Sequence, residues 1–294
     1  MGFSSYIREF WILGPLHGPT TNVPAQTLAR LLAAFPNLHT LRLVRVSLAA
    51  AIRDVGGGSE AQVARKIPRH AYKLRTLDLP SVYQATSARL GHILGLFEEV
   101  GELVLRCVSA AVVQPEDVED GLGVAADGEK TCCRSLVVDG RYLVSFTVVH
   151  ALTFAGLAEL EVKFPRPKDM KTLLAVLLAA ADRLESLTLH VYSNSAISDI
   201  QAGSAPIHLL PVALLLSYLP PTLSDIELKL DESWWSIEDL AHLGWARLEG
   251  ELVRFGSLRS VTVVLYPRRP EGDVDMAKIA KDEMPTLAER GILR

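Results

Sequence analysis

The fold is indicated most clearly by the stretch Leu38-His39-Thr40-Leu41-Arg42-Leu43. Leu41 and Leu43 are two residues apart, so they point to one side of a short strand, and Thr40 and Arg42 point to the other side. Leu38 precedes the strand and enters the same core. Burying one such leucine contributes about 1.5–3 kcal/mol, but one strand of this kind cannot bury its apolar face alone. The stretch therefore predicts a chain that repeats it.

The pattern of apolar, two residues, apolar, one residue, apolar recurs along the whole sequence. Further copies begin at Leu74, Val100, Cys133, Leu157, Leu184, Leu223 and Leu258, and an earlier copy begins at Ile7. The starts of successive copies from Leu38 onwards lie between 24 and 39 residues apart, so the predicted array is irregular.

Segments of helical period separate several of the predicted strands. They are Thr27–Phe35, Ala88–Val100, Met170–Leu184 and Ile237–Phe255, each with apolar residues at i, i+3 and i+4. Like strands alternating with helices predict a parallel sheet with helices on one side. A doubly wound sheet would instead need strands that are apolar on both faces, whereas alternate strand positions here are often charged.

We therefore predict an α/β fold, a leucine-rich-repeat-like solenoid of about eight or nine irregular strand–helix repeats. In this horseshoe the parallel sheet lines the concave face. Residues 1–294 form a single domain, with an acidic loop insertion over residues 113–131 and a C-terminal cap over residues 273–294.

Composition argues against several classes of function. The chain has 294 residues, 49% of them hydrophobic, and a net charge of −4, so it lacks the basic excess that nucleic-acid binding needs. Neither a signal peptide nor an apolar run of about 20 residues occurs, which favours a cytoplasmic or nuclear protein without a membrane partner. Its three cysteines form no Cys-x-x-Cys pair, so neither a disulfide framework nor a zinc site is expected.

Candidate catalytic motifs lack their usual context. Gly121-x-Gly123-x-x-Ala126 matches a dinucleotide-binding pattern in its letters, but an acidic run precedes it where a strand is needed. His190, Glu161 and Asp225 could converge on neighbouring strands, yet nothing supplies a nucleophile. We expect no catalytic, cofactor-binding or metal-binding residue, and an enzyme with an unrecognised site is the alternative from another class.

Three stretches carry a family resemblance. They are residues 35–43, the opening Tyr6-Ile7-Arg8 that leads into Gly14-Pro15, and the late strand over residues 258–263. With them the chain resembles the irregular leucine-rich-repeat regions of fungal F-box-like proteins. The resemblance implies a protein–protein interaction module, the substrate-recognition part of a ubiquitin-ligase receptor. The chain enters repeat structure by Ile7, so no F-box precedes the first repeat: either it is absent or it lies upstream of Met1. A free-standing scaffold is the alternative.

The strand positions that point away from the helices form the predicted partner-binding surface. Its charged and aromatic members are Trp11, Arg42, Asp78, Arg106, Asp139, Glu159, Glu161, Lys163, His190, Asp225, Glu227 and Lys229. Carboxylates outnumber Arg and Lys on this face as a whole, which favours a basic or mixed-charge protein surface or peptide. The alternative is a solvated strand face without a ligand.

Two aromatic features leave alternatives open. Trp11 is either an exposed binding anchor or a residue buried under an upstream segment. Trp234-Trp235 is either an exposed anchor or a plug before a helix that begins near Ser236. Repeat arrays need polar end caps, and residues 1–5 offer little, so we also predict self-association through the first repeat.

Overall fold

A computed structural model describes residues 6–16, 21–49, 71–80, 87–106, 130–139, 152–163, 170–191, 210–219, 222–231, 244–266 and 276–294. Contacts divide the chain into two units, residues 1–157 and residues 158–294. The predicted dinucleotide-like stretch, Trp234-Trp235, Ser236 and the acidic insertion as far as residue 129 lie outside the described residues.

The first unit contains eight strands and two helices among its described residues. The strands are β1 (Glu9–Leu13), β2 (Thr21–Pro24), β3 (Thr40–Val44), β4 (Val46–Ala49), β5 (Tyr72–Pro80), β6 (Phe97–Arg106), β7 (Thr131–Asp139) and β8 (Leu152–Thr153), and the helices are α1 (Ala25–Ala34) and α2 (Ser87–Leu94). The main sheet has the order β1-β3-β5-β6-β7, with β8 paired to β7, and every pair is parallel. Strands β2 and β4 form a separate parallel pair.

The second unit contains four strands and five helices among its described residues. The strands are β9 (Glu159–Lys163), β10 (Ser186–Val191), β11 (Asp225–Asp231) and β12 (Ser260–Tyr266), and the helices are α3 (Met170–Ala179), α4 (Leu210–Ser217), α5 (Trp245–Leu252), α6 (Met276–Glu283) and α7 (Pro285–Glu289). The strands pair in parallel in chain order. The predicted α/β class and its parallel sheet structure are confirmed.

The repeated pattern sets the register of both sheets. Residues at its second apolar position lie side by side on neighbouring strands: Phe10, Leu41, Leu77, Leu103 and Leu136 in the first unit, and Leu160, Leu187, Ile226 and Val261 in the second. All of these except Phe10 are at most 2% exposed. A one-residue slip would turn this row out of the core, so burial fixes the register.

Several element boundaries differ from the prediction. The helix predicted over Ala88–Val100 ends at Leu94, and its last residues belong to β6. The apolar stripe predicted for the helix from Met170 includes Leu178, which is 53% exposed. Helix α4 was not predicted, because it is apolar nearly all round and lacks a one-sided stripe. Strand β7 begins at Thr131, so the predicted acidic insertion includes one strand residue.

The segment over residues 276–294 packs on the end of the second unit. Ala280, Met284 and Leu287 are at most 1% exposed. The Leu287 amide donates to Glu249 Oε1 at 3.0 Å, and this carboxylate of α5 satisfies an amide in the first turn of α7. Beyond Gly291, Leu293 bridges in parallel to Val261 of β12.

No helix in the described part of the chain is both long enough and apolar enough to cross a membrane.

Candidate partner-binding surface

Each sheet has a buried face and an open face. In β10, Leu187 and Leu189 are at most 1% exposed, whereas Ser186, Thr188 and His190 on the opposite side are partly exposed. The same alternation holds in β3, β9 and β11. The buried face meets the apolar core, so only the open face can present polar side chains to a partner.

The predicted surface residues of the second unit all lie on the open face, in three rows across the strands. The first row is Glu159, Ser186, Asp225 and Ser260; the second is Glu161, Thr188, Glu227 and Thr262; the third is Lys163, His190, Lys229 and Val264. The carboxylates occupy the first two rows and the basic side chains the third. We call this arrangement the charged rows.

Glu161 is the most strongly held carboxylate of the charged rows. Its Oε1 lies 2.8 Å from His190 Nε2 and 3.2 Å from Lys163 Nζ. The hydrogen bond with His190 is the largest influence on the pKa of Glu161, which falls to about 2; partial burial opposes this and Lys163 adds to it. Glu161 is therefore ionised at any physiological pH.

The neighbouring strand repeats this arrangement with different partners. Glu227 Oε2 lies 3.1 Å from Lys229 Nζ and accepts a hydrogen bond from Thr188 Oγ1 at 3.3 Å. Asp225 accepts from the Ser224 and Ser260 hydroxyls, both at 2.6 Å. These two hydroxyl donors lower the pKa of Asp225. Both carboxylates are thus held in position within the sheet by neighbouring side chains.

The three residues considered for a catalytic cluster are not all brought together. His190 contacts Glu161, but Asp225 pairs in register with Ser186, four residues before His190 on its strand. Four strand residues span about 13 Å. Asp225 bonds serine hydroxyls instead of orienting the imidazole.

The first unit carries an aromatic and charged group on its open face. The guanidinium carbon of Arg42 lies 4.9 Å from the centroid of the Trp11 ring, within cation–π range. The Trp11 indole nitrogen donates to the Glu9 carboxylate, and Trp11 is still 49% exposed. The predicted anchor is therefore exposed in the described structure.

Arg42 also reaches the next strand. Its Nε lies 3.0 Å from Asp78 Oδ2, an ion pair between residues that are register partners. Arg42 Nε is nevertheless buried without a hydrogen-bond partner, so the contact with Oδ2 is an ion pair whose geometry is not that of a hydrogen bond; Asp78 Oδ1 is likewise buried without a partner. Burial raises the pKa of Asp78, against the opposing influence of Arg42 and Arg106. The ionised form of Asp78 in the first unit is thus less favoured than that of Glu161 in the second unit.

The remaining predicted positions of the first unit differ among themselves. Arg106 is exposed at the end of β6, and the backbone of Asp139 ends β7 while its side chain lies outside the description. Val104 and Val137 occupy strand positions that point to the open face, but they are only 5% and 6% exposed and thus unavailable to a partner. The exposed or partly exposed charged and aromatic side chains on the described open face of this unit are Glu9, Trp11, Arg42, Asp78, Glu102 and Arg106.

Within the described part of the chain, no group of three or more His, Cys, Asp or Glu side chains could hold a metal ion. Neither a known family model nor a curated protein matches the chain.

Proposed function

We propose that the chain is a protein–protein interaction module whose open sheet faces bind a partner, built as a leucine-rich-repeat-like solenoid of about eight or nine repeats. One observation carries the proposal. The strands are parallel, yet one side of each sheet is polar and partly exposed. Parallel sheets are ordinarily buried on both faces, whereas repeat solenoids leave one strand face free for binding.

The charged rows support a partner of basic or mixed charge. Carboxylates occupy two rows and basic side chains the third, so a complementary partner presents cations above the first two rows and an anion above the third. Such complementarity mainly steers encounter and selects between partners. Because Glu161 and Asp225 keep lowered pKa values, these two carboxylates stay ionised throughout the physiological range.

The family resemblance gives a narrower form of the proposal. In that form the module recognises substrates for an F-box-type ubiquitin ligase. A free-standing scaffold uses the same surface without ubiquitin transfer. Ligase subunits recovered together with the partner favour the first form, and their consistent absence from a purified partner complex favours the second.

The test places a photo-reactive side chain at Thr262, which is partly exposed on the open face. The control carries the same group at Glu283, which is exposed on α6. We expect Thr262 to cross-link a protein that Glu283 does not. Glu159→Lys with Glu227→Lys should reduce this cross-link at least several-fold, because it reverses two charges in the rows.

Glu283→Lys with Glu289→Lys serves as the matched variant, since it makes the same charge change on exposed helix residues. It should leave the cross-link unchanged. Equal cross-linking from Thr262 and Glu283, or equal loss in both charge variants, would contradict the proposal.

A further inference from the structure

Strand β1 exposes apolar side chains on both of its faces. Phe10 and Ile12 pair in register with Leu41 and Leu43, which are fully buried, yet Phe10 and Ile12 are partly exposed. On the open face Trp11 is 49% and Leu13 is 56% exposed. Both faces of the strand are therefore incompletely covered by the described residues, although Phe10 stacks on the Phe35 ring with the centroids 5.4 Å apart.

Strand β1 is also an edge of its sheet. It pairs with β3 and with no other described strand. Natural edge strands usually carry charges, proline or a bulge that prevents further pairing. Within β1 the one charged side chain is Glu9, and it accepts the Trp11 indole hydrogen bond. Among the described residues, the edge thus lacks the usual protection.

We infer that β1 pairs antiparallel with β1 of a second copy of this chain, around a two-fold axis at Trp11. This pairing sets Phe10 opposite Ile12 of the other copy, an aromatic and β-branched pair of the kind that stabilises antiparallel strands. It sets Glu9 opposite Leu13, and Trp11 opposite Trp11. No like charges face each other along the strand, so the edge is complementary to itself, as a two-fold interface requires.

The pairing covers the features that β1 leaves open. The second strand shields Phe10 and Ile12 on the helix side and Trp11 and Leu13 on the other side. A strand from a different protein would use the same edge, but the sequence of β1 is already its own complement. This inference shares Trp11 with the proposed partner surface of the first unit but goes beyond that surface, because the pairing uses the backbone edge of β1 and the charged rows of the second unit take no part in it.

The first experiment is sedimentation of the full chain over a wide concentration range. We expect a monomer–dimer equilibrium that Trp11→Lys shifts at least tenfold toward monomer, because it sets two like charges opposite each other at the axis. Leu16→Lys is the control: Leu16 is 73% exposed but lies outside β1, so it should leave the equilibrium unchanged. A chain that stays monomeric at every concentration would overturn the inference.

A second experiment does not rely on loss of binding. Trp11→Cys is made with Cys107→Ser and Cys132→Ser and treated with a short bismaleimide. Cys133 stays unreactive, since burial raises its pKa to about 12. We expect covalent dimers from this variant and few from Leu16→Cys in the same background. Equal yields from the two would refute pairing through β1, and neither result bears on cross-linking at Thr262.

Discussion

Strands β1 and β12 carry the same apolar pattern, but their apolar side chains are buried to different extents. Val261 and Val263 of β12 are 0% and 9% exposed, whereas Phe10 and Ile12 of β1 remain partly exposed. The difference lies in what covers each strand. On β12 the Val261 amide donates to the Ile292 carbonyl and the Arg294 amide donates to the Val261 carbonyl, both at 2.8 Å, while no described strand adds to the outer side of β1.

The repeat pattern places a residue on the correct face of its strand without completing the burial of that residue. Complete burial depends on the element that packs next to the strand. For β12 that element is α6, α7 and the extended residues after Gly291, which occupy the same edge that another strand would use. In the described part of the chain, the backbone after Gly291 therefore covers the edge at β12, whereas no strand pairs with the outer edge of β1.

Leu287→Ala should produce the largest effect on stability. Leu287 is fully buried in α7, so its truncation removes apolar contacts and leaves a cavity, at a cost of about 2–5 kcal/mol. Denaturant unfolding measures the loss. Leu16→Ala at the exposed N-terminal region should change stability by less than about 0.5 kcal/mol. Comparable losses in the two variants would remove the contrast between the two edges.

Gly14→Ala should be the next most damaging change. A Cβ at Gly14 would overlap the backbone carbonyl oxygen of Arg45, which has a left-handed φ of 54°. Relief requires a backbone shift that also disturbs the hydrogen bond from the Gly14 amide to the Val44 carbonyl, at 2.8 Å. We expect a loss of about 1–3 kcal/mol.

Gly256→Ala is the matched control, because a Cβ there meets nothing within 4 Å. Thermal unfolding of the two variants should separate clearly, with Gly256→Ala close to the parent protein. If Gly14→Ala did not lower the stability, the backbone near the ends of β1 and β3 would be able to shift at little cost in free energy. The open edge at β1 would then also be flexible.

Much of the strand architecture was predictable from sequence. The period-two pattern places Leu41, Leu187, Ile226 and their equivalents in the core because a strand alternates its faces strictly, and the structure aligns these positions in register. Helix ends were less predictable. Phe97 and Val100 fit a helical stripe and a strand equally well, and the pairing with β5 decides for the strand.

The candidate surface was predictable as a set of positions and not as a set of interactions. Alternation places His190 and Glu161 on the open face, but their 2.8 Å contact depends on rotamers and on strand spacing. The burial of Val104 and Val137 could not be predicted from the sequence, because a position on the open face does not by itself determine how exposed a side chain is. The β2–β4 pair was missed since neither strand carries the repeated pattern.

Acid should act in opposite directions at Glu161 and Asp78. The folded pKa of Glu161, about 2, lies below its usual value of 4.5. Its stabilisation is therefore complete above about pH 4.5 and is lost as pH falls toward 2. We expect Glu161 to contribute about 1–2 kcal/mol to the free energy of unfolding, after allowance for its 22% side-chain exposure. The pKa of Asp78 is raised in the folded state, so the folded state binds this proton more readily than the unfolded chain does. Protonation of Asp78 therefore stabilises the folded first unit as pH falls through the raised pKa.

Unfolding experiments on Glu161→Gln at a series of pH values test this. The variant should lose less stability than the parent protein between pH 4.5 and 2. Glu185→Gln, at an exposed position before β10, should follow the parent protein throughout. If Glu161→Gln and the parent protein fell in parallel, the hydrogen bond to His190 would not stabilise the charged rows in solution.

The smallest stability effect is expected at Trp11. Trp11→Leu keeps an apolar residue at the edge but removes the cation–π contact with Arg42 and the hydrogen bond to Glu9. Such contacts at exposed sites contribute about 0.5–1 kcal/mol, so unfolding of the dilute chain should change by no more than this. Association through β1 should weaken more than folding does, because the ring lies at the proposed two-fold axis. A loss of stability as large as that of Leu287→Ala would mean that Trp11 is covered within a single folded chain, and β1 would then be a protected edge like β12.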